Sequence, residues 1–165
     1  MIWKLSHRAD RSAVRIADRH YNRQKPGTPQ FVPPGRCVCL IAPGAIWVTS
    51  WPFAEYVKHA WPGAWINSCF RKECEGVASD YIRDAIAATR FVWPKVPSLG
   101  FVTFVDAKKT PGVLRRGERV HGYCYERAGF SHVGFTKGGL WAWQLMPEQM
   151  PAAQPANGMQ LNLVS

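Results

Sequence analysis

The stretch Gly122-Tyr-Cys-Tyr-Glu-Arg-Ala-Gly-Phe-Ser-His-Val-Gly134 limits the folds open to this chain more than any other. It sets a short helix, a glycine stop and a strand in immediate succession. Gly129 can take the left-handed conformation that ends a helix, and Phe130, Val133 and Phe135 can then pack as the chain re-enters a sheet. Taken alone, the segment is also readable as an ordinary helix-to-strand corner.

With 165 residues, 47% of them apolar and 13% aromatic, the chain can bury one core and is short for two. One domain is expected over residues 1–146. From Met146-Pro-Glu-Gln-Met-Pro-Ala-Ala-Gln-Pro-Ala-Asn-Gly158 onward the apolar content falls, so residues 147–165 read as a flexible C-terminal tail. No apolar run approaches the roughly 20 residues that span a bilayer, and Met1-Ile-Trp-Lys-Leu-Ser-His-Arg8 lacks the hydrophobic stretch of a secretory signal, which points to the cytoplasm. The five cysteines, at 37, 39, 69, 74 and 124, have no paired C-x-x-C spacing and read as reduced core thiols.

The net charge of +10 is concentrated in two arms. Residues 1–36 hold eight Lys/Arg against two Asp, residues 107–121 hold five Lys/Arg against Glu118, and the remainder balances. Concentrated cationic charge releases counterions from a polyanion, so double-stranded DNA is the first candidate partner, with a merely soluble basic surface as the bland reading. The candidate phosphate contacts are Arg8, Arg11, Arg15 and Arg19 in the first arm and Lys108, Lys109, Arg115, Arg116 and Arg119 in the second.

Ser6 to about Tyr21 reads as a helix with those four arginines on one face and Ala13, Ala17 and His20 on the other. His20 is readable as a hydrogen-bonded core residue or as a catalyst beside the long proline-rich loop Lys25–Gly35. Cys37–Ile41 and Ala45–Ser50 read as strands joined at Ala42-Pro-Gly-Ala45. The aromatic stretch Trp51–Trp65 reads as an irregular excursion whose rings either stack on a base or close the core. Trp65–Phe70 is an expected strand, Ala78–Phe91 an amphipathic helix and Phe101–Asp106 a strand, which together imply a parallel pair with a crossover helix.

The closing segment, with Tyr125 followed by Glu-Arg-Ala-Gly-Phe, resembles the last helix and strand of the GNAT N-acyltransferase superfamily. That resemblance implies an α/β (α+β) fold with a mixed, mainly antiparallel central sheet, a splayed parallel pair and flanking helices. It also implies Tyr125 as the acid for a departing thiolate. Such enzymes hold coenzyme A pyrophosphate on a Gly-rich turn at a helix N-terminus. Here that turn is Glu73-Cys-Glu-Gly76-Val-Ala78, and Glu73, Glu75 and Asp80 would repel a pyrophosphate, each close pair by about 1 kcal/mol or more. Coenzyme A binding is therefore disfavoured.

Arg19-His20-Tyr21, Phe70-Arg-Lys-Glu73 with Ser79, Phe104-Val-Asp106, and Tyr123-Cys-Tyr125 resemble the Mom family of bacteriophage DNA-modification proteins within that superfamily. The resemblance spans roughly residues 15–135. It implies a transferase that places a carbamoylmethyl or related group on the exocyclic N6 of adenine, protecting phage DNA from host restriction inside the host cytoplasm. It further implies His20, Tyr21, Asp106 and Tyr125 as the reactive cluster, Glu73, Gly76, Ala78 and Ser79 in the former cofactor cleft, and iron held through His20 and Asp106. By residue type His20 or Asp106 can serve as base toward the poorly nucleophilic amine, and Asp106 is equally readable as a cap on the loop that follows it. Two other classes remain open: an acetyl-coenzyme A N-acetyltransferase acting on a small amine or modified base, and a non-catalytic DNA-binding module, as a monomer or a homodimer.

Overall fold

The computed structural model describes residues 1–32 and 34–159. Its elements, in chain order, are β1 (Lys4–Ser6), α1 (Arg11–Ala17), β2 (Arg36–Ala42), β3 (Ala45–Trp51), β4 (Trp65–Lys72), α2 (Ala78–Val92), β5 (Phe101–Val105), β6 (Val113–Arg115), β7 (Glu118–Val120), α3 (Tyr123–Arg127), β8 (Ser131–Phe135) and β9 (Trp141–Leu145). Among the described residues one seven-stranded sheet runs in the order β1-β2-β3-β4-β5-β9-β8, and β6 and β7 form a separate hairpin. Every neighbouring pair in the large sheet is antiparallel except β4 and β5, which are joined through α2. The chain is thus a mixed α+β protein on a mostly antiparallel sheet.

Strand alternation divides the core between the two faces of the sheet. Trp47, Trp65, Phe101 and Leu145 point to the face covered by α2, where they meet Ile82, Ala85 and Ile86. Cys39, Ile46, Val48 and Cys69 point the other way and meet Ala13 and Ala17 of α1. Because β3 lies between two strands and beneath both helices, the run Ala45–Thr49 is buried throughout. This double coverage is why β3 reads as apolar without a gap.

Helix α1 is shorter than its arginine spacing suggests. Ser6 is committed to β1, where it pairs with Cys39, and its Oγ donates to Asp10 Oδ2 at 2.6 Å. Asp10 in turn caps the helix by accepting the Ser12 N–H at 2.8 Å, an arrangement worth about 1 kcal/mol that holds its carboxyl down at about 2. At the other end Asp18 accepts from Arg23 Nε at 2.8 Å and from the Gly27 N–H at 3.0 Å, folding the chain back. The four-arginine stripe therefore does not form. Arg11 and Arg15 are exposed on α1, whereas Arg8 precedes it and Arg19 follows it.

The expected loose tail is also corrected for the residues described. Met150 and Ala156 are buried, the Gln154 N–H donates to Ala87 O, the Asn157 N–H donates to Trp3 O, and Arg90 Nη1 donates to Pro151 O. Segment 147–159 straps the α2 face to β1, and residues 160–165 lie outside the described residues. All five cysteines are free thiols. No helix among the described residues is long and apolar enough to cross a membrane.

Gly100 fixes where the parallel pair begins. Its carbonyl accepts the Trp65 N–H at 2.9 Å, its φ is +68°, and an added Cβ would lie 2.1 Å from the Leu145 carbonyl oxygen. Neither backbone can move without unpairing a strand. Gly100→Ala is expected to lower the unfolding free energy by about 2–3 kcal/mol in urea denaturation; a loss below about 0.5 kcal/mol would mean that this junction relaxes.

Candidate active site

A bulge and a divergence coincide in the middle of the sheet. Strand β4 pairs with β5 only at Trp65↔Phe101, Ile66↔Val102 and Asn67↔Thr103, and then runs on to Lys72 with β3 as its one partner strand among the described residues. On its other side the register with β3 jumps from Thr49↔Asn67 to Val48↔Cys69, leaving Ser68 without a partner residue. The extra residue bends β4 away from β5 and opens a cleft between them.

Asn67 closes the base of that cleft. Its Nδ2 donates to the carbonyls of Val48 at 3.1 Å and Cys69 at 2.9 Å, across the bulge. Its Oδ1 accepts from the Tyr125 hydroxyl at 2.7 Å and from Thr103 Oγ1 at 3.4 Å. All four amide capacities are used. Full burial raises the pKa of the Tyr125 phenol well above its ordinary value, so at neutral pH it stays protonated and acts as a hydrogen-bond donor, never as a base.

The segment after α1 covers the edge that β5 leaves bare. Arg71 Nη1 donates to Arg19 O at 2.7 Å, Asn22 Nδ2 donates to Ser68 O at 2.8 Å, and the His20 ring meets the Phe70 carbonyl. Ser68 and Phe70 are two apart on a strand, so both carbonyls face the same edge. His20 Nδ1 accepts the Asn22 N–H at 3.2 Å, and its ring stacks on Tyr21 at 4.6 Å. Burial lowers its pKa, which keeps the imidazole neutral at pH 7. Burial acts oppositely on the Tyr21 phenol, whose pKa is raised while its oxygen meets the backbone of Asp106.

Two cavities meet at this line of residues. The first, about 530 Å³, is bounded by His20, Tyr125, Tyr123, the start of α2 at Ala78 and Ser79, and the root of the β6–β7 hairpin. The second, about 890 Å³, is bounded by the loop through residues 21–34 with Lys25, Asp106 and Lys109. Tyr21, Asn22, Asn67 and Phe104 belong to both. Cys69 and Cys124 line the first with thiols that burial raises to about 12 and about 11, so both act as protonated, weakly polar wall. Each volume falls in the range of ligand sites, and two molecules held one in each cavity would touch at Tyr21.

The predicted residues divide accordingly. His20, Tyr21, Tyr125, Ala78 and Ser79 come together at the first cavity; Asp106 borders the second. Asp106 Oδ1 accepts the Lys108 N–H at 2.9 Å and its carbonyl accepts from Thr110 Oγ1 at 2.9 Å, so it caps the root of the hairpin. Glu73 and Gly76 line neither cavity. Glu73 instead takes Arg19 in a two-pronged ion pair at 2.7 and 2.5 Å and Arg71 at 2.5 Å. Those two cations hold its carboxyl at about 2, and the trio carries a net positive charge in place of the repulsion expected of Glu73. For iron, no group of three or more His, Cys, Asp or Glu side chains among the described residues could hold a metal ion, and His20 and Asp106 are each bonded to their own loops.

Asn67, Thr103 and Asn22 are the site residues that sequence reasoning passed over. The one local signal was the polar pair Asn67-Ser68 inside an otherwise apolar strand. Comparison of the chain with protein-family models, curated proteins and solved structures gives no match.

Glu73 gives a pH test of this architecture. Its folded pKa of about 2 lies below its ordinary 4.5, so the stabilisation is fully present above about pH 4.5 and is lost as pH falls toward 2. The stability difference between wild type and Glu73→Gln, followed by urea denaturation, is expected to be constant above pH 5, to vanish near pH 2 and to shrink in salt because Arg19 is half exposed. A difference independent of pH would remove the ion trio from the account.

Proposed function

We propose that the protein is a Mom-like, GNAT-type transferase that modifies a base amine in DNA, with the exocyclic N6 of adenine as its target. The meeting of two ligand-sized cavities at Tyr21, beside a neutral, half-buried imidazole and a fully protonated phenol, carries the reading. A transferase needs two molecules in contact, a base for the proton leaving the amine, and a donor to the oxygen of the electrophile. His20 can take the proton once its ring gives up the Asn22 N–H. Tyr21, or Tyr125 once its hydroxyl leaves Asn67 Oδ1, supplies the hydrogen bond to the electrophile.

The second cavity suits the base. Lys109 stands over the Tyr21 ring with Nζ 6.0 Å from its centroid, at the foot of a hairpin on which Arg115, Arg116 and Arg119 are exposed, Arg115 lying over the Tyr123 ring and Arg119 bonded to the Pro111 carbonyl. A duplex held on that hairpin would have to extrude its base to reach the junction. Nucleoside mass spectrometry of DNA from cells expressing the protein is expected to show a modified adenosine that is lost with His20→Ala and strongly reduced with Tyr125→Phe. Unmodified DNA under saturating expression would leave the non-catalytic DNA-binding module.

The hairpin makes a separate prediction. Replacing Arg115, Arg116 and Arg119 with Ala is expected to weaken DNA binding and to reduce the slope of log K against log salt by up to about three phosphate contacts. The same slope in the variant would take this arm out of the interface.

Acetyl-coenzyme A as donor is favoured by one observation. The neutralised Glu73 no longer opposes a pyrophosphate, and α2 starts at the first cavity without a side-chain cap. Calorimetric titration with coenzyme A separates the donors: binding in the micromolar range assigns this cavity to it, and its absence assigns another donor.

A further inference from the structure

We propose that Cys37 is a nucleophilic thiolate that reacts with peroxides, with Cys39 as its resolving thiol. The two sit on one face of β2, and their sulfurs are 3.7 Å apart. Arg8, in the turn before α1, donates from Nη2 to Cys37 Sγ at 3.1 Å and also to the Gly35 carbonyl. Cys37 is half-buried and Cys39 buried, so the first meets solvent while the second is held against α1.

This cluster lies outside both cavities and serves no step of the proposed transfer. Its electrostatics single out one sulfur. The contact with the Cys39 sulfur and the guanidinium of Arg8 lower the pKa of Cys37 below that of an ordinary thiol. The same interaction, seen from Cys39, raises that thiol far above its ordinary value, with burial and the nearby Cys69 adding to the effect. Arg8, Cys39 and, opposite on β3, Ser50 are the polar groups that face Cys37. Near neutral pH Cys37 therefore carries a larger thiolate fraction than an ordinary thiol, whose pKa is about 8.5.

Oxidation by hydrogen peroxide proceeds in two balanced steps. The Cys37 thiolate attacks one peroxide oxygen, an S–O bond forms, the O–O bond breaks and hydroxide leaves to become water. Cys37 is then a neutral sulfenic acid, which removes the charge that held the proton on Cys39. The Cys39 sulfur loses that proton to solvent and attacks the Cys37 sulfur; the S–S bond forms, the S–O bond breaks and a second water leaves. Two thiols have given two electrons to one peroxide. Side chains two apart on one face of a strand hold their Cβ atoms about 6–7 Å apart, against about 3.5–4.5 Å in a disulfide, so closing the bond requires β2 to unpair locally at Cys37 and Cys39, and the product is strained and easily reduced by thiols. Arg8 loses an anionic partner in the process, and the loop it ties through Gly35 borders the second cavity at Phe31, Val32 and Pro34.

The test uses the full chain. Iodoacetamide labelling followed by peptide mass spectrometry is expected to give a pH midpoint for Cys37 clearly below the roughly 8.5 of an ordinary thiol, shifted upward by Arg8→Met. Brief treatment with hydrogen peroxide is expected to remove about 2 Da from the peptide holding both cysteines, and in Cys39→Ser to leave a Cys37 sulfenic acid trapped by dimedone. A labelling midpoint near 8.5, or peroxide oxidation of Cys74 and Cys124 ahead of Cys37, overturns the proposal. Neither result bears on the DNA-modification reading.

Discussion

The amide of Asn67 is the interaction on which the site depends. A sheet that opens a cleft between two of its own strands must strand backbone carbonyls at the point of opening, and a buried carbonyl without a partner costs about 1–3 kcal/mol. Here one side chain meets that demand twice over at Val48 and Cys69, and with its oxygen gathers Tyr125 from α3 and Thr103 from β5. Three elements distant in sequence are thereby fixed to the bulge. Without this amide the bend in β4 would be an unsatisfied defect. With it the bend is stable and the cleft is permanent.

The same economy governs the charges around the cleft. Burial by itself would neutralise His20 and keep Tyr21 and Tyr125 protonated, and it does; no charged partner is needed to set these states. Glu73 is the contrasting case, a carboxylate near the surface whose ionisation is fixed by two arginines. Its role is mechanical as much as electrostatic, since Arg19 comes from the end of α1 and Arg71 from β4. The trio fastens the segment that carries His20 and Tyr21 to the bare edge of the splayed strand.

Much of the frame was legible in the sequence because it is written in local pattern. The strands β2, β3 and β4, the helix α2 and the parallel β4–β5 pair follow from alternation, helical period and element order, with ends displaced by one or two residues. The first helix was overread because arginines at three- and four-residue intervals imitate a helical face, while the competing commitments of Ser6 to β1 and Asp10 to the cap involve single side chains. Glu73 was misjudged for a different reason: its partner Arg19 lies 54 positions away, and no window shorter than the fold reveals the pair. Asn67 was passed over because one polar residue in an apolar strand does not say that a bulge follows it.

The two walls of the cleft are held by different forces, and this sets which of them can give. Tyr125, Phe130 and Trp143 belong to the main core, so the wall formed by α3, β5 and β9 moves only if the core repacks. The opposite wall, the segment 19–32, is tied to β4 by the surface ion trio at Glu73 and by side chains reaching backbone carbonyls, Arg71 to Arg19 and Asn22 to Ser68. Such bonds exchange readily with water at a net cost of about 1 kcal/mol each, whereas core packing does not. Opening of the site should therefore occur at this wall, with Phe31 and Val32, its buried apolar anchors against α1, as the hinge that limits the movement. His20 and Tyr21 ride on the wall that gives, Tyr125 on the one that does not, so the base and the acid of the proposed transfer are brought to working distance by closure of a single segment.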